Sequence, residues 1–147
     1  GIAGREDDKV RNSTVRWVSK HPEMRQLVGY FFQEANRRLF NVDIQHVFDI
    51  QFTEYHAEGN QHYSWHEDIH WDRRNAYDRK LSLVLQLSDP DTYEGGELEF
   101  LQFRRPDEFR ERGSIIVFPS YVRHRVTPVT EGTRYSLVSW IEGPRWR

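Results

Sequence analysis

The chain contains no cysteine, so it can form neither disulfide bonds nor thiolate metal sites. A metal ion bound to this protein must therefore be held by histidine and carboxylate side chains, which favours a borderline or hard ion over a structural zinc. The sequence also has no apolar run near the roughly 18 residues that span a membrane. These absences favour a protein of a reducing compartment, the cytoplasm, with no membrane partner.

An excess of charge of one sign is also missing, because 21 Lys and Arg residues stand against 23 Asp and Glu residues. The formal net charge of −2 provides no general attraction to nucleic acid, and we expect no nucleic-acid partner. A length of 147 residues predicts one domain over residues 1–147. Since the chain starts with Gly1 and Ile2 rather than methionine, we expect it to be the core of a longer protein.

One helix and a series of short strands account for most of the chain. After Pro22, apolar residues recur every three or four positions and predict a helix to about Phe40 with one buried stripe. The stripe consists of Met24, Leu27, Val28, Phe31, Phe32, Ala35 and Leu39. Strands are predicted over residues 10–18, 44–55, 62–68, 80–87, 98–103, 114–118, 123–128 and 134–141. Short strands at this spacing predict a mainly β fold, a two-sheet jelly roll braced by the helix.

The segments between the strands are predicted as turns and loops. Residues 57–61 and the pair Gly95 and Gly96 are typical of turns. Residues 69–78 are polar and predict a loop. The charged residues 104–112 predict a solvated hairpin.

His66 and Asp68 lie two residues apart at the end of a predicted strand. Alternate residues of an extended chain point to one face, so an imidazole and a carboxylate converge there. His124, at the start of a later predicted strand, is well placed as a third ligand. Two histidines and one carboxylate form the facial triad that holds non-haem Fe(II) and leaves coordination positions open. Arg134 and Ser136 alternate in the same way, and an Arg fork with a neighbouring hydroxyl suits a carboxylate ligand.

A competing motif covers some of the same positions. The five residues from His66 to His70 match H-E-x-x-H, the zinc-metalloprotease helix in which Glu67 would be the general base. The preceding residues are rich in Gly, Asn and aromatic side chains, which disfavours a helix. Position 90, near which a further acidic ligand would be expected, is proline. We therefore disfavour a zinc protease, while a purely structural role of the motif stays open.

The ordered set His66-x-Asp68, His124 and Arg134-x-Ser136 resembles the signature of the 2-oxoglutarate/Fe(II)-dependent oxygenases. Within this superfamily the chain looks most like the prolyl-4-hydroxylase-like branch, with its small bacterial and phage members. The likeness covers residues 10–144 and includes residues 10–17, 63–68, 81–87 and 93–98. It implies a double-stranded β-helix (jelly roll) and a dioxygenase that releases succinate and CO2. For a phage-encoded member it implies the host cytoplasm as the location.

The resemblance also implies cofactors and the residues that hold them. The cofactors are Fe(II), 2-oxoglutarate and O2, with ascorbate as the reductant. The implied iron ligands are His66, Asp68 and His124. The residues implied in cosubstrate binding are Tyr55, Gln86, Arg134 and Ser136. Arg134 would pair with the far carboxylate of 2-oxoglutarate. Gln86 departs from the family pattern, because relatives commonly have a Tyr there; either Gln86 substitutes as a donor or Arg134 and Ser136 suffice.

The same likeness bears on the substrate. It places Trp17, Tyr63, Arg79 and Trp140 around the open face of the iron, and the expected target is a prolyl residue of a peptide or protein. Asp68 argues against the halogenase variant, in which this carboxylate is missing. An oxygenase acting on a small molecule or a nucleobase and a non-catalytic jelly-roll binding module remain alternatives. The other histidines are interpreted as structural or solvent-facing: His21, His46, His56, His62 and His70.

Overall fold

The computed structural model describes residues 11–69, 76–104 and 106–146 of the chain. Helix α1 spans Pro22–Ala35 and continues as a π-helical turn over Asn36–Phe40. His21 caps the helix, because its Nδ1 accepts the backbone N–H of Met24 at 3.3 Å. Asn41, with a φ of 55°, ends the helical segment in the left-handed conformation. The helix predicted to reach Phe40 is confirmed in extent and differs only in its last turn.

Ten strands lie in the described part of the chain. They are β1 (Arg11–Asn12), β2 (Thr14–Trp17), β3 (His46–His56), β4 (His62–His66), β5 (Tyr77–Gln86), β6 (Tyr93–Gly95), β7 (Leu98–Phe100), β8 (Ile115–Pro119), β9 (His124–Val126) and β10 (Val129–Pro144). Short 3-10 helices cover Pro90–Thr92 and Asp107–Arg110. The strands form an antiparallel four-stranded sheet, β1-β4-β9-β7, and a six-stranded sheet, β2-β3-β10-β5-β8, in which β6 also pairs with β10.

The larger sheet is buried on both faces. On one face α1 contributes Val28 and Phe32 to a core with Val47, Ile50, Leu81, Leu83, Leu137 and Ile141. The second core contains Tyr55, Val84, Leu98, Phe100, Ile116, Phe118, Val126 and Val129, drawn from both sheets. Because strand side chains alternate, β5 supplies Leu83 to the first core and Val84 to the second. The predicted mainly β fold with a bracing helix is confirmed.

The predicted helical stripe is wrong at two positions. Leu27 is 46% exposed and Leu39 is 75% exposed, whereas Val28 and Phe32 are buried. Leu27 lies to one side of the buried stripe that those two residues form along the helix. Leu39 belongs to the π-helical turn, whose wider winding rotates it away from the stripe. No helix among the described residues has the length and apolar character needed to cross a membrane.

Several predicted strands end elsewhere. The strand predicted over residues 10–18 divides at Ser13 into β1 and β2, which join different sheets. The strands predicted over residues 62–68 and 98–103 end earlier, at His66 and Phe100. The turn predicted at 57–61 is confirmed, with positive φ at Gly59 and Asn60.

Within the segment predicted as a solvated hairpin, residues 104–112, Arg110 contacts the body of the protein. Arg110 forms an ion pair with Glu97 and lies 4.8 Å from the centre of the Tyr93 ring. Most of the predicted loop over residues 69–78 lies outside the described residues, as do Val10, His70 and Arg105. Tyr77 and Asp78, from the end of that predicted loop, belong to β5.

Candidate active site

Three side chains with metal-binding atoms meet at one point. His66 ends β4 and His124 begins β9, and the antiparallel pairing of these strands sets the two residues opposite each other. Nε2 of His66 lies 3.4 Å, and Nε2 of His124 lies 3.5 Å, from Oδ1 of Asp68. The three atoms all lie within 4.8 Å of one another. The structure therefore brings together the three residues predicted as ligands.

The other ring nitrogen of each histidine is held by the backbone. Nδ1 of His66 lies 2.7 Å from the carbonyl oxygen of Ser64, and Nδ1 of His124 lies 2.9 Å from that of Val122. A carbonyl oxygen only accepts, so each Nδ1 carries the hydrogen and each Nε2 is directed to Asp68. Burial lowers the pKa of His124, which favours the neutral ring whose Nε2 can bind a metal ion.

Asp68 is a buried carboxylate that remains ionised. Burial by itself raises its pKa. The hydrogen bond from a protonated His66, the attraction of a protonated His124 and the hydrogen bond from Ser82 outweigh that effect. The pKa of Asp68 is consequently held well below its usual value. Two imidazole nitrogens and one carboxylate oxygen that converge on one point fit Fe(II) as a donor set.

A cavity of about 170 Å³ opens beside these atoms. All the predicted site residues except Gln86 line it, together with apolar side chains such as Val84 and Phe118. The lining residues that were predicted are Trp17, Tyr55, Tyr63, His66, Asp68, Arg79, His124, Arg134, Ser136 and Trp140. The cavity thus joins the three candidate metal ligands to the predicted cosubstrate residues.

Arg134 is a buried cation with 1% of its surface exposed. Burial lowers its pKa, an effect that the nearby Tyr55 and Tyr93 oppose, and an arginine still stays protonated. No acidic side chain in the described part of the chain forms an ion pair with Arg134. Its Nε and the Oγ of Ser136 have no hydrogen-bond partner among the described residues. A buried charge of this kind is costly unless an anion pairs with it.

Gln86 lies behind Arg134 rather than on the cavity wall. Its Oε1 accepts a hydrogen bond from a terminal nitrogen of Arg134. Gln86 is 3% exposed and sits opposite Ser136 in the pairing of β5 with β10. That Gln86 acts as a donor to the cosubstrate stays a prediction, because its oxygen is engaged by the arginine while a glutamine donates through its amide nitrogen.

Gly96 makes room for the Arg134 side chain. Its φ is +58°, and a Cβ added there would lie 2.9 Å from Cγ2 of Val129 and 3.1 Å from Cδ of Arg134. Such contacts are tighter than ordinary van der Waals packing. The prediction of a turn at Gly95 and Gly96 is confirmed by their positive φ angles. The missing side chain of Gly96 also leaves the space that the buried arginine occupies.

The model of the 2OG-Fe(II) oxygenase superfamily matches residues 50–142. The chain belongs to this superfamily. It is 42% identical over 89 residues to a PKHD-type hydroxylase of Synechococcus sp. (strain CC9605), covering 58% of this chain and 39% of that protein. It is 33% identical over 125 residues to a PKHD-type hydroxylase of Crocosphaera subtropica, covering 82% of this chain and 55% of that protein. The chain therefore spans between 39% and 55% of the length of these two curated relatives.

Solved structures of prolyl hydroxylases have the same fold. The viral collagen prolyl hydroxylase of Paramecium Bursaria Chlorella virus-1 superposes with a TM-score of 0.73 at 22% identity, over 92% of this chain and 81% of that one. A Pseudomonas putida prolyl-4-hydroxylase gives a TM-score of 0.73 at 20% identity, over 99% of this chain and 78% of that one. The jelly roll predicted from the sequence is confirmed.

Aromatic and cationic side chains line a further part of the cavity wall. The guanidinium of Arg79 lies 4.1 Å from the centre of the Trp140 ring. Tyr63 stacks on the ring of His66 with the centroids 3.5 Å apart. Trp17 is 48% exposed. Trp140 is buried, and its indole Nε1 has no hydrogen-bond partner among the residues described. This side of the cavity can therefore present a flat aromatic surface and an unused donor to a substrate.

Sequence reasoning missed three polar residues around the cavity: Gln51, Ser82 and Ser120. Gln51 lines the cavity and donates to Oγ1 of Thr53 at 3.0 Å, while its own oxygen has no partner within the described ranges. Ser82 donates to Asp68 and contacts Ser120. A signal for Ser82 was available, because it is a polar residue within the apolar run of β5. No local pattern distinguishes Ser120.

The competing zinc-protease motif requires a helical backbone, which His66 does not have. His66 lies at the end of a strand rather than on a helix, and His70 lies outside the described residues. Four other histidines make contacts elsewhere: His21 caps α1, His46 meets Glu142, His56 meets Glu54 and Thr133, and His62 meets the carbonyl of Asn60. None of these four is among the lining residues of the cavity.

Proposed function

We propose that this protein is an Fe(II)- and 2-oxoglutarate-dependent dioxygenase that hydroxylates prolyl residues of a peptide or protein and releases succinate and CO2. The observation that carries the proposal is one cavity with two complementary ends. One end has three converging metal-donor atoms, and the other has the buried Arg134, which forms no ion pair with an acid in the described ranges. A dicarboxylate that also reaches a metal ion satisfies both ends at once.

Different residues bind the metal ion and the cosubstrate. His66, Asp68 and His124 hold Fe(II), and the bound metal with 2-oxoglutarate and O2 supplies the oxidising chemistry for an unactivated C–H bond. Arg134 pairs with the far carboxylate of 2-oxoglutarate, and Ser136 adds a hydrogen bond. Gln86 orients the guanidinium of Arg134 from behind.

Tyr55 completes the cosubstrate end. Its ring centre lies 5.5 Å from the guanidinium carbon of Arg134, and the side chain is 3% exposed. Burial raises the pKa of the Tyr55 hydroxyl, so it stays protonated and able to donate a hydrogen bond. This phenol and the arginine flank the part of the cavity that we assign to 2-oxoglutarate.

Two facts support a prolyl substrate. The relatives above are PKHD-type hydroxylases, and the structures with this fold include a Trichoplax adhaerens prolyl hydroxylase in complex with a hypoxia inducible factor oxygen degradation domain peptide fragment. In this chain Trp17, Tyr63, Arg79 and Trp140 provide the surface for the substrate, since a pyrrolidine ring packs well on aromatic faces. The Trp140 indole N–H, which has no partner among the described residues, can donate to a peptide carbonyl.

The experiment follows succinate formation by the anaerobically iron-loaded protein after addition of 2-oxoglutarate, ascorbate and air, with a panel of proline-containing peptides. We expect succinate that rises with a peptide, and a product heavier by one oxygen atom in mass spectrometry. His124→Ala and Arg134→Ala should each lower the rate by about 100-fold or more, because each removes a charged or metal-bound contact.

Two surface variants serve as controls. His46→Ala removes a histidine that is 50% exposed, and Arg16→Ala removes an arginine that is 68% exposed. Both should retain the wild-type rate. A wild-type protein that binds no iron and forms no succinate would contradict the dioxygenase. Succinate formation that no proline peptide stimulates would contradict the prolyl substrate alone.

A further inference from the structure

Asp68 is not held in place by strand pairing. Strand β4 ends at His66, two residues before it. Instead the backbone N–H of Asp68 donates to the carbonyl of Ser120 at 2.9 Å, and the N–H of Ser120 donates to the carbonyl of Lys80 at 3.0 Å. The position of the carboxylate therefore depends on a contact with a residue far away in the sequence.

The side chain of Asp68 is anchored through a pair of hydroxyl groups. Oγ of Ser82 donates to Oδ2 of Asp68 at 2.6 Å, and Oγ of Ser120 lies 3.0 Å from Oγ of Ser82. A serine has one hydroxyl hydrogen, and Ser82 donates its hydrogen to Asp68. Ser82 can therefore only accept in its contact with Ser120, so the Ser120 hydroxyl is the donor there. Both serines are 0% exposed, and a hydrogen bond to a buried carboxylate is among the stronger ones.

The two carboxylate oxygens of Asp68 have different surroundings as a result. Oδ2 is engaged by Ser82, while Oδ1 lies 3.4 Å and 3.5 Å from the Nε2 atoms of His66 and His124. A carboxylate whose second oxygen is occupied offers one oxygen to a metal ion. If that oxygen were released, the group could rotate and take a second coordination position with it.

We propose that Ser82 and Ser120 are positioning residues that keep Asp68 a one-oxygen ligand and so leave coordination positions free for 2-oxoglutarate and O2. This inference rests on the function proposed above. Ser82 acts directly on the carboxylate. Ser120 acts twice, through its hydroxyl on Ser82 and through its carbonyl on the backbone of Asp68.

The test measures Fe(II) binding by anaerobic calorimetry in Ser82→Ala, Ser120→Ala and the wild type. Loss of a residue that orients a metal ligand weakens binding by about 10- to 100-fold, and we expect this for Ser82→Ala. Ser120→Ala keeps the carbonyl contact, so its loss should be smaller, within about tenfold. Ser139→Ala is the matched control, because Ser139 is equally buried but donates to the carbonyl of Asp49, and its affinity should be that of the wild type.

A spectroscopic readout separates positioning from general destabilisation. Co(II) added in place of iron has visible absorption bands whose energy and intensity depend on the number of ligands. We expect these bands to change in Ser82→Ala, to respond less to 2-oxoglutarate, and to be unchanged in Ser139→Ala. Ser82→Thr, which keeps the hydroxyl, should restore the wild-type spectrum.

The outcomes distinguish this inference from the proposed function. Wild-type Fe(II) affinity and a wild-type Co(II) spectrum in Ser82→Ala would overturn the positioning role and leave the dioxygenase intact. An equal loss in Ser139→Ala would also overturn it, since any buried serine would then matter. If Ser82→Ala does not fold, an unchanged affinity in Ser120→Ala decides against the proposal. A wild-type protein that binds neither metal overturns both.

Discussion

The two ends of the cavity differ in how their polar groups are satisfied without a ligand. At the metal end the backbone holds both Nδ1 atoms, and Ser82 holds Oδ2 of Asp68. At the cosubstrate end the Nε of Arg134 and the Oγ of Ser136 have no partner in the described part of the protein. The first end is fully arranged before binding, whereas the second leaves buried donors unmatched.

This difference indicates which kind of ligand each end of the cavity requires. Three ligand atoms that face one another with an ionised carboxylate among them require a cation, and a buried arginine without an acid requires an anion. Burial makes both requirements stronger, because an unpaired charge costs more in a medium of low polarity. We expect substitutions at the metal end to disturb geometry, and substitutions at the cosubstrate end to change affinity without harming the fold.

The largest effect is expected for Arg134→Met, which removes the buried charge and keeps most of the side-chain length. Breaking a buried, hydrogen-bonded charge pair costs about 3–5 kcal/mol, so 2-oxoglutarate affinity should fall by about 100-fold or more. Fe(II) affinity should stay unchanged. The ligand-free protein should lose little stability, because removal of the buried charge offsets the loss of its hydrogen bond to Gln86. Titration of 2-oxoglutarate into the metal-loaded protein and thermal unfolding measure both, with Arg16→Met as the surface control. A large loss of stability in the ligand-free variant would contradict the contrast between the two ends.

A smaller effect is expected for Gly96→Ala, which crowds the cosubstrate end from behind. The added methyl group meets Val129 and Arg134, so 2-oxoglutarate affinity should fall by about tenfold, with a loss of about 1–2 kcal/mol in the free energy of unfolding from the left-handed backbone. Gly113→Ala is a matched control, since Gly113 has a φ of +87° with nothing within 4 Å of the added carbon. It should lose similar stability and keep full affinity for 2-oxoglutarate. Equal affinity losses in the two variants would show that contact with Arg134 is irrelevant.

The smallest effect is expected for Ser136→Ala. The same substitution is proposed above for Ser82 at the metal end, so the two variants compare the two ends of the cavity directly. Ser136 has no partner in the ligand-free cavity, so its loss should leave thermal stability unchanged or slightly raised. One hydrogen bond to the cosubstrate contributes about 1 kcal/mol, so 2-oxoglutarate affinity should fall by about fivefold. Calorimetry on both serine variants checks the result. A destabilised Ser136→Ala protein would mean that the hydroxyl already has a structural role.

Much of the architecture could be predicted because it repeats locally. Apolar spacing predicted the helix to Phe40, and the pattern of apolar residues predicted most strands. The errors came where tertiary contacts decide. Leu27 and Leu39 are exposed although they fit the helical period, and β4 ends at His66 although the polar alternation continues to Asp68.

The candidate site shows the same division. The spacing of His66, Asp68 and His124 predicted a cluster that the fold assembles, because pairing of β4 with β9 sets the two histidines opposite each other. The role of Gln86 was left open between donation to the cosubstrate and no part in its binding, and its orientation behind Arg134 depends on packing between β5 and β10. Ser120 had no local signal at all, since its partners lie on other segments.

The sequence by itself determined the residue types of the site, their alternation along the strands and the order of the helix and strands. Those features depend on contacts between neighbours and on the geometry of an extended chain. Tertiary structure alone decided that Oδ1 of Asp68, and not Oδ2, faces the two histidines, and that Gln86 lies behind Arg134. It also decided that Gly96 must lack a side chain. Each of these depends on atoms brought together from distant parts of the chain, where close packing leaves one arrangement.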